Sequence, residues 1–204
     1  MQTPLCSLLR DHTAAYHAQL MQHELGTALQ AGTVTRSMYG QHLQGMVVWY
    51  QRLEPALIPA LTCCDEGLRS LYHARLPALL ADLEILQVAA PEPLQPPYAI
   101  AAEAAPGWLY VVEGSRLGGL YMAQALRAQL GLSPERGLQF FHGMGPAATP
   151  LHWQAVQQQL AAAAPASCQA EAATQGAQQA YETLFQALGV PMPGADQLTS
   201  TSLP

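Results

Sequence analysis

Lysine is absent from this chain, and charge of either sign is scarce. The eight basic residues are all arginine, against fourteen acidic ones, for a formal net charge of −6. Such a surface offers nucleic acid no electrostatic footprint and acidic lipid no polybasic patch. Neither nucleic acid nor a membrane is therefore an expected partner. Arginine without lysine fits either a compositional bias or guanidinium groups kept for forked contacts with anions. Charged residues make up 11% of the chain, against roughly 25% in ordinary soluble domains. Cysteine is also sparse. Cys6, Cys63, Cys64 and Cys168 form no C-x-x-C pair, and adjacent cysteines make a poor disulfide, so reduced thiols in a cytoplasmic protein are expected. No apolar run reaches the roughly 18 residues of a membrane span. No basic n-region followed by an apolar stretch opens the chain, so no secretory signal is expected.

What is present favours helices. Half of the 204 residues are apolar, enough for one hydrophobic core, and Ala, Leu and Gln are good helix formers. The segment from Pro4 to His23 places Leu5, Leu9, Thr13, His17 and Leu20 on one helical stripe. Gly26 and Gly32 punctuate the next segment. A second helix is predicted from Thr35, its cap, to Leu61, kinked or shortened by Pro55 and Pro59. A third fits Gly67 to Leu86, with an irregularity at Pro77. Four prolines mark 88–97 as a loop. A long fourth helix is predicted over Tyr98–Leu130, interrupted at Pro106–Gly107 and again at Gly114–Gly119, with Gly131 ending it. After a turn at Gly143–Pro146, further helices fit Pro150–Ala163 and Ser167–Leu188. Nothing alternates with period two, so no sheet is expected. One all-α domain over 1–190 and a polar, disordered tail over 191–204 complete the expected organisation.

Two features carry potential chemistry. The first is the string Leu109-Tyr-Val-Val-Glu-Gly-Ser-Arg-Leu-Gly-Gly-Leu120. Each glycine inside a helix costs about 1 kcal/mol relative to alanine. Gly114, Gly118 and Gly119 therefore serve either close helix packing, or a flat ligand lying where any Cβ would clash. The glycines follow no strand and precede no Lys-Ser/Thr, so no phosphate loop is expected. The second feature is histidine: His12, His17, His23, His42, His73, His142 and His152. No pair has the H-x-x-x-H or E-x-x-H spacing of a two-ligand metal site. A single protein nitrogen suits haem, whose ring already supplies four ligands.

Together the two features resemble the haem oxygenase family. Leu9-Arg10-x-x-Thr13-x-x-x-His17-x-x-Leu20 resembles its N-terminal signature. Gly114-Ser115-Arg116-Leu117-Gly118-Gly119 resembles its glycine-rich distal helix in the bacterial form. Tyr39-x-x-x-Leu43, Leu53-Glu54-x-x-Leu57 and Phe140-Phe141 before Gly143 and Gly145 follow the family's order. The resemblance spans about residues 5–190. It implies an all-α haem oxygenase-like bundle, with a kinked distal helix, that holds haem between its first helix and that glycine-rich helix. His17 would be the iron ligand on the proximal side, as neutral imidazole. Gly114, Ser115 and Gly118 would face bound oxygen. Arg10, Thr13, Leu117 and Gly119 would contact the haem, Arg10 by forking onto a propionate. Phe141 would either close the distal pocket or belong to the core.

The implied reaction opens haem with O2 to biliverdin, carbon monoxide and iron. Electrons would come from a ferredoxin or reductase, because the chain has no flavin, nicotinamide or iron–sulfur motif. Biliverdin would serve iron release or supply a bacterial phytochrome. Three positions depart from the family pattern. Met21 stands four residues after His17, where many members carry a carboxylate. Ser115 stands where the animal form has Asp. No Arg or Lys follows Arg136, where a late helix usually anchors the propionates. Two alternatives remain: a haem carrier or sensor on the same fold, and a helical scaffold without haem.

Overall fold

The computed structural model describes residues 5–162 and 167–194. Pro4, the side chain of Cys168 and the tail beyond Gly194 lie outside the described residues. So do the expectations placed on them. The regular elements of the described residues are helices: α1 (Leu5–Met21), α2 (Glu24–Ala31), α3 (Arg36–Cys64), α4 (Glu66–Leu71), α5 (Leu76–Ile85), α6 (Ala105–Leu130), α7 (Gln139–His142), α8 (Gly145–Ala162) and α9 (Ser167–Leu188). Among the described residues there is no strand; Ser133 makes only isolated bridges to Arg136 and Gly137. No helix of the described residues is long and apolar enough to cross a membrane.

Helix α3 is the central element. Thr35 caps it by accepting from the backbone N–H of Met38 at 3.2 Å. Its inner face carries Tyr39, Leu43, Val47, Tyr50, Leu53, Leu57 and Leu61, none of which exposes any surface. Of the two effects expected of the prolines, an early end does not occur, and the helix runs on to Cys64. Pro55 and Pro59 are four residues apart on the exposed edge. Burial of the opposite face outweighs the backbone hydrogen bonds they remove.

The expected third helix is two helices. Tyr72–Arg75 breaks it, and Pro77 falls in the first turn of α5, where its missing N–H is harmless. The break has a long-range cause. The buried carboxylate of Glu54 on α3 accepts from the Tyr72 hydroxyl (2.9 Å), the Arg75 N–H (2.6 Å) and the Leu76 N–H (3.1 Å). Helix α2 was not expected; it is eight residues long and ends at Gly32 in the left-handed region, φ 72°. Helix α6 begins at Ala105 rather than Tyr98, with Pro106 in its first turn. The glycines at 114–119 do not interrupt its assigned span. Helix α8 begins at Gly145, five residues before the expected start, and includes Pro150.

Helices α6 and α9 approach backbone to backbone. A Cβ on Gly107 would lie 1.8 Å from the Ala173 carbonyl oxygen, and one on Gly176 would lie 2.2 Å from that of Ala104. Substituting Gly107 by alanine forces the two helices apart. Overpacking of this kind costs about 1–3 kcal/mol or more. G107A is expected to lower the urea midpoint by the upper part of that range, with little change in the slope of the transition.

Candidate functional site

Helix α1 turns Leu5, Leu9, Thr13 and Tyr16 inward. Thr13 is buried, and its hydroxyl donates to the Leu9 carbonyl at 2.7 Å. Its one proton is thus committed to its own helix. His17 follows Tyr16 by one residue and is exposed. Among the described residues it makes no hydrogen bond. Arg10 lies two turns earlier on the same stripe. It is exposed and donates to the Asp11 carboxylate at 3.0 Å.

Helix α6 carries a stripe of glycines at spacings of seven and four, Gly107, Gly114 and Gly118. The environment changes along it. Gly107 sits against the backbone of α9, Gly114 faces the indole of Trp153 on α8, and Gly118 faces open space, with no atom within 4 Å of an added Cβ. Packing therefore explains Gly107 and part of Gly114, but not Gly118. Leu117 and Tyr121 beside it are 37% and 58% exposed. Gly119 belongs to the packed side, where an added Cβ would touch Phe141 at 3.4 Å. Phe141 itself is buried. Its ring lies 5.0 Å from Phe140, 5.8 Å from His42 and 6.1 Å from Tyr39, so it is part of the aromatic core.

Behind the glycines lies a polar network that runs from the exposed Ser115 to the buried Arg75, Tyr50 and Glu113. The Ser115 hydroxyl donates to the Val112 carbonyl (2.7 Å) and accepts from an Arg75 guanidinium N–H (3.2 Å). The same guanidinium donates to the Tyr50 hydroxyl (3.1 Å) and the Phe140 carbonyl (3.3 Å), and lies 4.1 Å above the Phe140 ring. Burial pushes the Tyr50 hydroxyl pKa up, while the charges of Arg75 and Arg116 oppose the rise. On the next face of α6, the fully buried Glu113 accepts from Arg116 on the same helix and from His152 on α8, the latter at 2.8 Å. Arg116 also donates to the His73 carbonyl at 3.1 Å. Sequence reasoning missed Tyr50, Glu54, Arg75 and Glu113 as site residues. The available signal was charge standing in apolar surroundings, in a chain where charge is rare.

A cavity of about 450 Å³ lies elsewhere, lined in part by His23, Met38, His42, Gly45, Val48 and Leu188. It includes none of the predicted site residues. Burial, then the neighbouring His23, lowers the His42 pKa to about 3, so its ring is neutral. Among the described residues no group of three or more His, Cys, Asp or Glu could hold a metal ion.

A family model described as "Heme oxygenase" matches residues 3–188. The chain belongs to the haem oxygenase family. Solved haem oxygenases share its fold. The NO- and CO-bound enzyme of Neisseria meningitidis is 23% identical, with 95% of this chain and 96% of that one covered and a TM-score of 0.70. The haem oxygenase of Leptospira interrogans is 17% identical over 91% and 98%, with a TM-score of 0.69. Haem oxygenase-1 of the cyanobacterium Synechocystis, solved in complex with haem, is 15% identical over 92% and 91%, with a TM-score of 0.68. Among curated proteins, none matches the chain. The all-α haem oxygenase fold that the resemblance implied is thus the observed one.

Proposed function

We propose that this haem oxygenase-family chain binds haem between α1 and α6. It opens the ring with O2 and external electrons to biliverdin, carbon monoxide and iron. The observation that carries the reading is Gly118. It costs about 1 kcal/mol of helix stability and packs against nothing, which is the condition a flat ligand on the helix backbone would impose. The exposed His17 imidazole fits the same group, because its ring nitrogens are unclaimed by the described protein.

His17 would hold the iron, with Arg10 reaching a propionate once it exchanges Asp11 for it. Leu117, Gly118 and Gly114 would line the opposite face. Thr13 would support that wall from below rather than offer its hydroxyl. Bound haem supplies both the oxygen-activating iron and the ring that is oxidised. The protein's part is positional. Arg75 holds the Ser115 Oγ by its N–H, and the Oγ proton is committed to the Val112 carbonyl. Ser115 can therefore accept from an ordered water, and Tyr50 stands one link behind it through the same guanidinium. The small face at Gly118 would admit that water and oxygen while Leu117 limits bulk solvent. Electrons would come from a ferredoxin or reductase in a reducing compartment. A bacterial phytochrome is a fitting recipient of the product.

The test is direct. Ferric haem added to the pure protein is expected to give a 1:1 complex. Ascorbate or a ferredoxin system under oxygen should then yield the biliverdin spectrum and carbon monoxide. A second reading, a haem carrier or sensor, is favoured by one observation: no Arg or Lys follows Arg136. It predicts the 1:1 complex without ring opening. Absence of any haem binding would leave only a helical scaffold.

A further inference from the structure

Helix α8 makes two contacts within two turns that tie it to both walls of the proposed cleft. His152 is bonded to Glu113 of α6 at 2.8 Å. Five residues later, the Gln157 carbonyl accepts the Cys6 thiol of α1 at 3.8 Å. Helix α8 therefore spans from α6 to α1 at one end of the space between them. Trp153 lies between these two ties. Its indole edge stands 3.2 Å from where a Gly114 Cβ would be, and its ring rests on Tyr110 at 5.3 Å and 58°. Of the glycine stripe, then, the Gly114 end is covered by indole and the Gly118 end is open.

We infer that Trp153 is a specificity-determining residue: its indole walls the cleft at Gly114 and fixes how far a flat tetrapyrrole can slide and turn over Gly118. The His152–Glu113 bond holds the indole in place. This inference rests on the proposed haem site. A planar ring with an iron fixed by one axial nitrogen still has one free rotation, about that bond. Only side groups at its rim can select among the rotated seatings, and a rigid indole against a Cβ-free helix is such a stop. The edge of the ring that reaches the distal pocket is thereby set by Trp153.

The experiment compares the parent, W153A, W153L and W153F as ferric, cyanide-ligated haem complexes. Proton NMR of the haem methyl resonances reports in-plane seating, independently of turnover. The parent and W153F are expected to show one dominant set. W153A is expected to show a second set at roughly one tenth or more of the intensity, the size of a minor state that a small energy gap leaves visible. If W153A does not fold by circular dichroism, W153L carries the comparison, because it keeps apolar volume and loses the flat wall. The same methyl pattern in W153A, or in W153L in its place, overturns the inference while leaving haem binding intact. A parent that binds no haem overturns both the site and this inference.

Discussion

Replacing His17 by alanine is expected to remove the axial nitrogen signature of the haem complex while leaving the fold untouched. The side chain is exposed and makes no hydrogen bond among the described residues. Surface substitutions of that kind change stability by about 0.5 kcal/mol or less. The ligand effect should be far larger. Loss of the one protein donor is expected to weaken haem binding at least tenfold, about 1.4 kcal/mol, and to abolish ring opening. Resonance Raman of the ferrous form should lose its iron–histidine band. Imidazole added to the smaller variant His17→Gly should restore the band, because the exposed site leaves a path for it. An unchanged spectrum would reassign the ligand. His12, five residues earlier and about 140° around the helix at 100° per residue, cannot share one iron with His17, and it or His23 would then become the candidate. His23 packs its ring 6.1 Å from His42 at the far end of α1.

Helix α1, which carries His17, was legible because its pattern is local. The stripe Leu5, Leu9, Thr13 and Leu20 marked that helix, and the glycine string marked a second one a hundred residues away. Periodicity also located α3 and α9, since both bury long continuous faces. It failed wherever the deciding contact was distant. Nothing near Tyr72 announces that Glu54, eighteen residues earlier, will take its hydroxyl and the N–H groups of Arg75 and Leu76 and so split a helix in two. Pro55 and Pro59 read as breakers, because local propensity does not know that the opposite face is buried. The Ser115–Arg75 bond spans forty residues, and the Gly114–Trp153 contact joins two helices that the sequence does not order in space. Glycine shows that a Cβ is unwelcome without showing why. Gly107, Gly114 and Gly118 have three different reasons on one stripe.

Removing the Glu113 carboxylate is expected to be the most destabilising single substitution at the site. Glu113 is fully buried, and its partners Arg116 and His152 are each less than a tenth exposed. Truncation to alanine strands the Arg116 guanidinium in the core with only the His73 carbonyl. Breaking a buried pair in this way costs about 3–5 kcal/mol, a large fraction of a typical total of about 5–15 kcal/mol. Urea unfolding of E113A at neutral pH should show it. The pH dependence gives an independent check. Burial alone would raise the Glu113 pKa, but the His152 hydrogen bond and the Arg116 charge outweigh it, so the carboxyl lies below its ordinary value of 4.5. As pH falls, the unfolded chain therefore takes up this proton first. The stability Glu113 contributes is complete above the ordinary carboxylate range and is lost as pH falls through the depressed folded value. In E113Q that part of the acid slope should flatten. The double variant E113M/R116M removes both charges and fills the space with apolar volume, so it should recover much of the loss. Equal stability of E113A and the double variant would show that the cost lies in packing rather than in the stranded charge. Because Glu113 also holds α8 through His152, E113Q is expected to loosen Trp153. It should then acquire part of the seating heterogeneity of W153A, linking the buried pair to the cleft it stands behind.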